Sequence, residues 1–337
     1  MKKIPVSVGL DYSMSGVQVC VQDANGKVLR NKKCEDSWRA VAGVIGKCET
    51  VGVAVIEACT GAADLAEELK AHAGWPMKIA MPGIVKKMKL NPDKTDWQDA
   101  HVLCDLGRVN YVPPVWLAPK PVRELRLVVR YRQQLVNQRR AAKLRMGAIL
   151  REQRVVLQGR RWSKPWQAAL AHHKDLSEQA GWVLQQHVRA VVKLTAEIDQ
   201  VEAHLEAIAA NDWMVRQLLT CKGIGLVTAC VMRAEIGSFE RFKSAKSLAR
   251  YCALTPRNAS SGARQADAGV IQAGNRMLRT ILIEAGHRLA RFEPRWKALA
   301  DAMRARGKHG SVIAVAVANR WMRSLYHQGK QLEQAAA

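Results

Sequence analysis

This 337-residue chain is short of several things, and each shortage excludes something. No run of about twenty apolar residues occurs, so no segment is built to span a bilayer. The opening MKKIPVSVGLDYS starts basic, but Asp11 interrupts it before an apolar core forms, so a secretion signal is not expected. Eight cysteines are scattered without a Cys-x-x-Cys or a Cys/His cluster at zinc spacing, which points to reduced thiols and away from zinc. Aromatics make up 5%, too few for a surface that stacks single-stranded bases. Acid is the most telling shortage: 29 Asp+Glu face 53 Lys+Arg, a formal net charge of +24. Such an excess opposes compaction unless a polyanion neutralises it. Nucleic acid is the expected partner, with an anionic membrane surface as the weaker alternative and no membrane insertion.

What is present is otherwise ordinary. Hydrophobic residues at 48% and charged residues at 24% suit a soluble protein, long enough for two or three cores. The charge is unevenly spread. Residues 1–119 carry a net +2, 120–164 carry +12, 165–212 carry −4 and 213–337 carry +14. The expected organisation follows: an α/β domain over 1–112, a linker and helical hairpin with a basic arm over 113–212, and a mostly helical domain over 213–330.

Short β-rich runs at 4–10 and 17–23, split by Ser13, Ser15 and Gly16, read as a hairpin. Val51–Ile56 is a third strand, followed by the helical spacing Ala62, Leu65, Ala66, Leu69; Met77–Met81 is a fourth. Residues 84–106 read as helix broken near Asn91-Pro92. The prolines at 113, 114, 119 and 121 form a linker, since proline resists helix interiors. Two long helices are expected, from Val122 to about Leu157 and from Leu176 to Ala209. Leu184, Val188, Val191, Thr195, Ile198 and Leu205 form a heptad seam flawed at Glu202, suited either to an intramolecular hairpin or to a coiled coil with another copy. The tail QLEQAAA is expected to be disordered.

Four carboxylates stand where strands and helices can gather them. Asp11 follows the run VSVGL, Glu57 closes VGVAVI, and Asp96 and Asp99, three residues apart, share one helix face. Phosphodiester chemistry uses such a set, because hard oxygens hold paired Mg²⁺ ions. Singly, each has a plain reading as a turn residue, a helix-terminal charge or a solvated face. Asp93 reads as a helix cap, and Asp105 points away from the Asp96/Asp99 face.

Taken in order, these motifs resemble the DEDD transposases of insertion sequences, the one-ten and eleven-eleven group, to which the Piv DNA invertase is similar. GLDYS, IEACTG and KTDWQDA match that family's RuvC-like motifs. The stretch LLTCKGIGLVTACVMRAEIGSFERFKSAKSLARYCALTPRNASSG, followed by GNRMLR, matches its C-terminal domain. Trp97 replaces an arginine of the usual third motif, and Lys222 stands where the family has proline. The resemblance implies a RuvC-like (RNase H-like) first domain and two Mg²⁺ ions, with Mn²⁺ able to substitute, at Asp11, Glu57, Asp96 and Asp99. It also implies a serine nucleophile in the S-G motif, Ser261 with Ser260 as rival, and a structured guide RNA beside donor and target DNA. Read from residues alone, Ser260-Ser261-Gly262 is only a turn.

Arg139, Arg140 and Lys143 in the arm, Lys222 in the glycine turn, and Arg257, Arg264, Arg276 and Arg279 around the serine are the candidate phosphate contacts. Lys222-Gly223-Ile224-Gly225 also reads as a helix-hairpin-helix turn, or as a tight turn that binds nothing. A homodimer or tetramer in the bacterial cytoplasm, at the nucleoid, is expected. A RuvC-like endonuclease without strand joining is the alternative, and a non-enzymatic basic scaffold a third reading.

Overall fold

The computed structural model describes residues 4–83, 85, 95–112, 115–171, 173–258 and 267–336. The chain forms two compact units, Met1–Leu117 and Ala118–Ala337.

The first unit is a five-stranded sheet in the order β3-β2-β1-β4-β5. β1 (Ile4–Ser13), β2 (Gly16–Gln22) and β3 (Val28–Cys34) run antiparallel, while β4 (Glu49–Glu57) lies parallel to β1 and β5 (Met77–Ala80) parallel to β4. Helices α1 (Trp38–Ala42), α2 (Ala62–Ala73) and α3 (Asp96–Arg108) complete it. Side chains alternate across a strand, and here the alternation sorts them to two cores. Val6, Val8, Leu10, Ala54 and Ile56 pack with Val41 of α1 and Leu65 and Leu69 of α2. On the other face Val53 and Val55 meet Leu103 and Leu106 of α3. Gly9 makes this second packing possible: a Cβ there would lie 2.9 Å from the Cα of Cys104 and collide with the backbone of Ala100. Any side chain at position 9 lifts α3 off the sheet.

The expected hairpin, the strand ending at Glu57 and the helix after it are all present. β3 went unread because VLRNKKC is polar and carries three cations, the composition of a solvated strand at a sheet edge.

The second unit is helical apart from one two-stranded ribbon. Its elements are α4 (Lys120–Glu152), α5 (Lys164–Ala171), α6 (Glu178–Asn211), α7 (Trp213–Leu219), α8 (Leu226–Ile236) and α9 (Ala245–Tyr251). There follow β6 (Pro256–Asn258), β7 (Asp267–Val270), α10 (Arg276–Phe292), α11 (Pro294–Ala305) and α12 (Gly310–Ala336). α4 and α6 form an antiparallel hairpin, as the bonds Gln153 to Ser177, Arg139 to Thr195 and Arg132 to Glu202 show by their register. The seam residues Leu184, Val191, Ile198 and Leu205 are buried. The flaw in that seam has a purpose: Glu202 accepts Arg132 Nε at 2.7 Å, so a polar position becomes a cross-helix ion pair. At the hairpin base Leu125, Val129, Leu205 and Ala209 join the core built by α7 to α12.

The tail is not disordered as far as residue 336. α12 runs through it, and Glu333 accepts the Phe239 N–H at 3.0 Å, the Glu240 N–H at 3.1 Å and the Ser238 hydroxyl at 3.1 Å. One carboxylate with three donors fixes the last turns; the apparent low complexity of QLEQAAA hid it.

Candidate active site

Strand register, helix direction and burial set three of the nominated carboxylates on one face at one end of the sheet. First, β1 and β4 are parallel neighbours with Leu10 opposite Ile56, so Asp11 and Glu57 are the next residues on adjacent strands. Second, both have the parity of Gly9 and Val55, and therefore project toward the α3 face. Third, α3 descends antiparallel to β1: the Cys104 thiol donates to Ser7 O at 3.1 Å, while Ala100 sits over Gly9. Its N-terminus thus lies toward Asp11. Fourth, Asp99 is on the sheet side of α3, 3% exposed, and Asp96 is one turn nearer the helix start and exposed. The hydroxyl of Thr95 caps that start by accepting the Gln98 N–H at 3.2 Å, and the positive helix end favours both acids.

Cys59 lies at the same margin, its thiol donating to Tyr12 O at 3.8 Å. Burial pushes its thiol up from the ordinary value, and the negative charges of Asp11 and Glu57 push it further, against a hydrogen bond from the Ala62 backbone. Beside them Tyr12 is committed elsewhere, donating to Asp36 Oδ2 at 2.7 Å; that bond, burial and nearby negative charge push its phenol up to about 12. Gly61, at φ +89°, lets α2 begin against that ring, since a Cβ would lie 2.5 Å from the Tyr12 oxygen.

A supporting polar ladder was not read from sequence. Gln18 is the β2 partner of Asp11, and its side-chain amide donates to Asn31 Oδ1 at 2.7 Å. Asn31 in turn donates to Trp97 O at 3.0 Å, tying β3 to the first turn of α3. Trp97 itself stacks on His101, 5.4 Å between ring centroids, so the departure at this position leaves the acid-bearing face alone. Asp105 is turned away and bonds Arg108 at 3.1 Å. Asp93 lies outside the described residues.

Among the described residues, no three Asp, Glu, His or Cys side chains close to metal-holding distance. Asp11, Glu57 and Asp99 share an end of the sheet and a face. As a donor set they are hard oxygens, which suits Mg²⁺ or Mn²⁺.

In the second unit, Ser260, Ser261 and Arg264 lie outside the described residues. The strands on either side are described, and their return into α10 is clipped firmly. Asn275 N–H donates to Tyr251 O at 2.8 Å, and Asn275 Oδ1 caps α10 through the Leu278 N–H at 3.0 Å. The same side chain donates to Glu235 Oε2, 1% exposed, at 2.7 Å; Arg130 donates to both oxygens of that carboxylate, at 2.9 and 3.1 Å. Glu235 is buried while Arg130 is 57% exposed, so the arginine reaches in from the surface to a carboxylate that the fold has desolvated. Glu235 sits in RAEIG among apolar neighbours, and that setting was its only sequence signal.

The nominated cations divide by what they do in the fold. Arg139 donates to Thr195 Oγ1 at 3.2 Å, Lys143 lies over the Trp162 ring at 5.1 Å, and Arg279 donates to Ile271 O at 3.2 Å. Arg140, Lys222, Arg257 and Arg276 are exposed. Arg140 and Arg276 line one groove between α4 and α10, with Asn137 and Thr280. The glycine turn is packed from behind: Gly223 takes φ +83° and its carbonyl accepts Arg288 Nε at 2.9 Å.

A mixed α/β sheet unit followed by a helical, basic unit is consistent with a DEDD, RNase H-like transposase. A DEDD transposase model of the IS110 kind matches residues 8–154, which hold all four carboxylates, and a model for the transposase IS116/IS110/IS902 family matches residues 215–301. The chain is 24% identical to the transposase for insertion sequence element IS1328 of Yersinia enterocolitica, over 94% of each chain. It is 26% identical to a probable family 20 transposase of Pseudomonas aeruginosa over 95% of each. It is 25% identical to the transposase for IS1111A of Coxiella burnetii, over 86% of this chain and 79% of that one. The chain belongs to the IS116/IS110/IS902 transposase family, as a DEDD transposase of the IS110 kind. It is an enzyme that acts on DNA, and no helix among its described residues is long and apolar enough to cross a membrane.

Proposed function

We propose that this transposase cuts DNA with Asp11, Glu57, Asp96 and Asp99 as ligands of a divalent-metal pair, and rejoins it through Ser261. The observation that carries the reading is the register of β1 and β4, which sets Asp11 beside Glu57 on the face that α3 covers with Asp99. Bound Mg²⁺, or Mn²⁺ in its place, supplies activation of the attacking oxygen and stabilisation of the leaving one. The protein's part is to hold the ligands: Gln18 and Asn31 fix the start of α3, Gly9 lets that helix approach, and Thr95 caps it.

Arg140 and the arm around it support a second part of the reading, in which a structured RNA of the element guides donor and target DNA. Arginine on a solvated helix binds phosphate without reading sequence, as such an RNA or duplex requires. Apolar side chains left outside the hairpin, Leu127 at 72% exposure and Tyr131 at 50%, support assembly as a dimer or tetramer. Action on DNA by such an assembly fits the bacterial cytoplasm and nucleoid.

The test is metal removal. Element-end DNA, the element's transcript and the protein are incubated with a chelator, then with Mg²⁺ or Mn²⁺ restored. The expected outcome is no cutting with chelator and full recovery with either ion; cutting that persists in chelator contradicts the metal part of the proposal.

A further inference from the structure

The final helix lies beyond both family-matched stretches, which end at residues 154 and 301. On α12, Arg320 and Arg323 are exposed and stand one turn apart. Both line two concavities at once. One has an apolar floor that includes Leu254, Pro256, Val270, Ile283 and Val312; the other is a basic cleft with Arg295 and His327. The two arginines are therefore the lip where an apolar floor meets a basic wall.

The three acids within residues 293–336 are already engaged. Asp301 pairs with Lys297 and Arg304, Glu293 accepts the Trp296 N–H at 3.0 Å, and Glu333 holds residues 238–240. Among the described residues, none of Arg295, Arg320 and Arg323 forms an ion pair with a carboxylate. Arg295 rests on the Trp296 ring, 4.7 Å from its centroid, which orders the guanidinium without neutralising it. Three cations with no carboxylate partner leave their charge available to an external anion. The floor adds a constraint: its apolar side chains suit the sugars of a nucleotide chain rather than a free inorganic anion. It also touches Pro256 of β6 and Val270 of β7, the strands that precede and follow Ser261 in the chain.

We infer that α12 forms a DNA-backbone track, with phosphates at Arg320, Arg323 and Arg295 and sugars along the Val270/Val312 floor. This deepens the proposed function and rests on its reading of the second unit as the one that rejoins DNA.

The experiment measures binding of the full-length protein to duplex element-end DNA across a salt series, for wild type, Arg320→Ala/Arg323→Ala and Arg320→Lys/Arg323→Lys. Each phosphate contact contributes about 0.9 to the log–log slope, so the alanine pair should flatten it by about 1.8, while the lysine pair keeps it. Separately, a photoreactive residue at Val312 in the otherwise wild-type protein should cross-link to labelled DNA, which removes any dependence on how the alanine variant folds. An unchanged slope in folded alanine variant, or no cross-link from position 312, overturns the track. Wild-type protein that binds and joins no DNA would instead overturn the underlying reading of the unit.

Discussion

Asp11→Ala and Glu57→Ala should each reduce recombination by about a thousandfold or more, the scale of losing roughly 4 kcal/mol of transition-state stabilisation. Each should leave nucleic-acid binding and thermal stability near wild type. Glu57 ends β4 and Asp11 lies two residues before the end of β1; both are half-buried and neither belongs to an apolar core, so their removal opens no apolar cavity. Asp96→Ala is expected to behave similarly, because Asp96 is exposed and its helix is capped by Thr95, not by itself. Asp99→Ala differs in kind. Asp99 is packed against the sheet, so its loss should also change stability, and activity must be compared at a temperature where both proteins are folded. The measurement is excision and joining of a labelled element end, with binding followed on the same samples. Full activity in Asp11→Ala or Glu57→Ala would remove those residues from the reaction.

The second large effect is expected at Ser261. If its hydroxyl oxygen bonds to phosphorus as a DNA P–O bond breaks, the departing oxygen takes up a proton and the protein is left as a phosphoserine diester. Attack by a DNA hydroxyl then reverses the exchange and restores the serine, so no energy source is consumed. Ser261→Ala should therefore form no covalent protein–DNA adduct and join no strands, while binding persists. The check is labelled DNA carried by protein through denaturation. An adduct in Ser261→Ala but not in Ser260→Ala moves the nucleophile one residue back; undiminished joining in both variants contradicts serine chemistry altogether.

Much of this was written in local pattern. Short apolar, β-rich runs located β1, β2 and β4, because a strand buried on both faces is apolar along most of its length. Asp11 and Glu57 were legible for the same reason: each interrupts an apolar run where the strand leaves the core. The i, i+3 spacing of Asp96 and Asp99 and the heptad of α6 are equally local. What was illegible depends on contacts across the chain. β3 carries Arg30, Lys32 and Lys33 because its edge is wet, and that polarity reads as loop. Gln18 and Asn31 support the acid-bearing helix only because register brings them together. Glu235 is a buried carboxylate made tenable by Arg130, 105 residues away, and Glu333 fixes a tail that composition alone reads as loose. Glu202 shows both sides of the problem: sequence reported a defect in a seam, and only the partner helix shows the ion pair.

The central claim is that strands β1 and β4 and helix α3 present one metal site. It is tested most directly by replacing Mg²⁺ with Fe²⁺ and adding ascorbate and peroxide, so that bound iron cuts the polypeptide nearby. The account predicts fragments ending near residues 11, 57 and 96–99, suppressed by excess Mg²⁺ and lost in Asp11→Ala. Cleavage elsewhere in the chain, or cleavage at those positions that Asp11→Ala leaves unchanged, would contradict it.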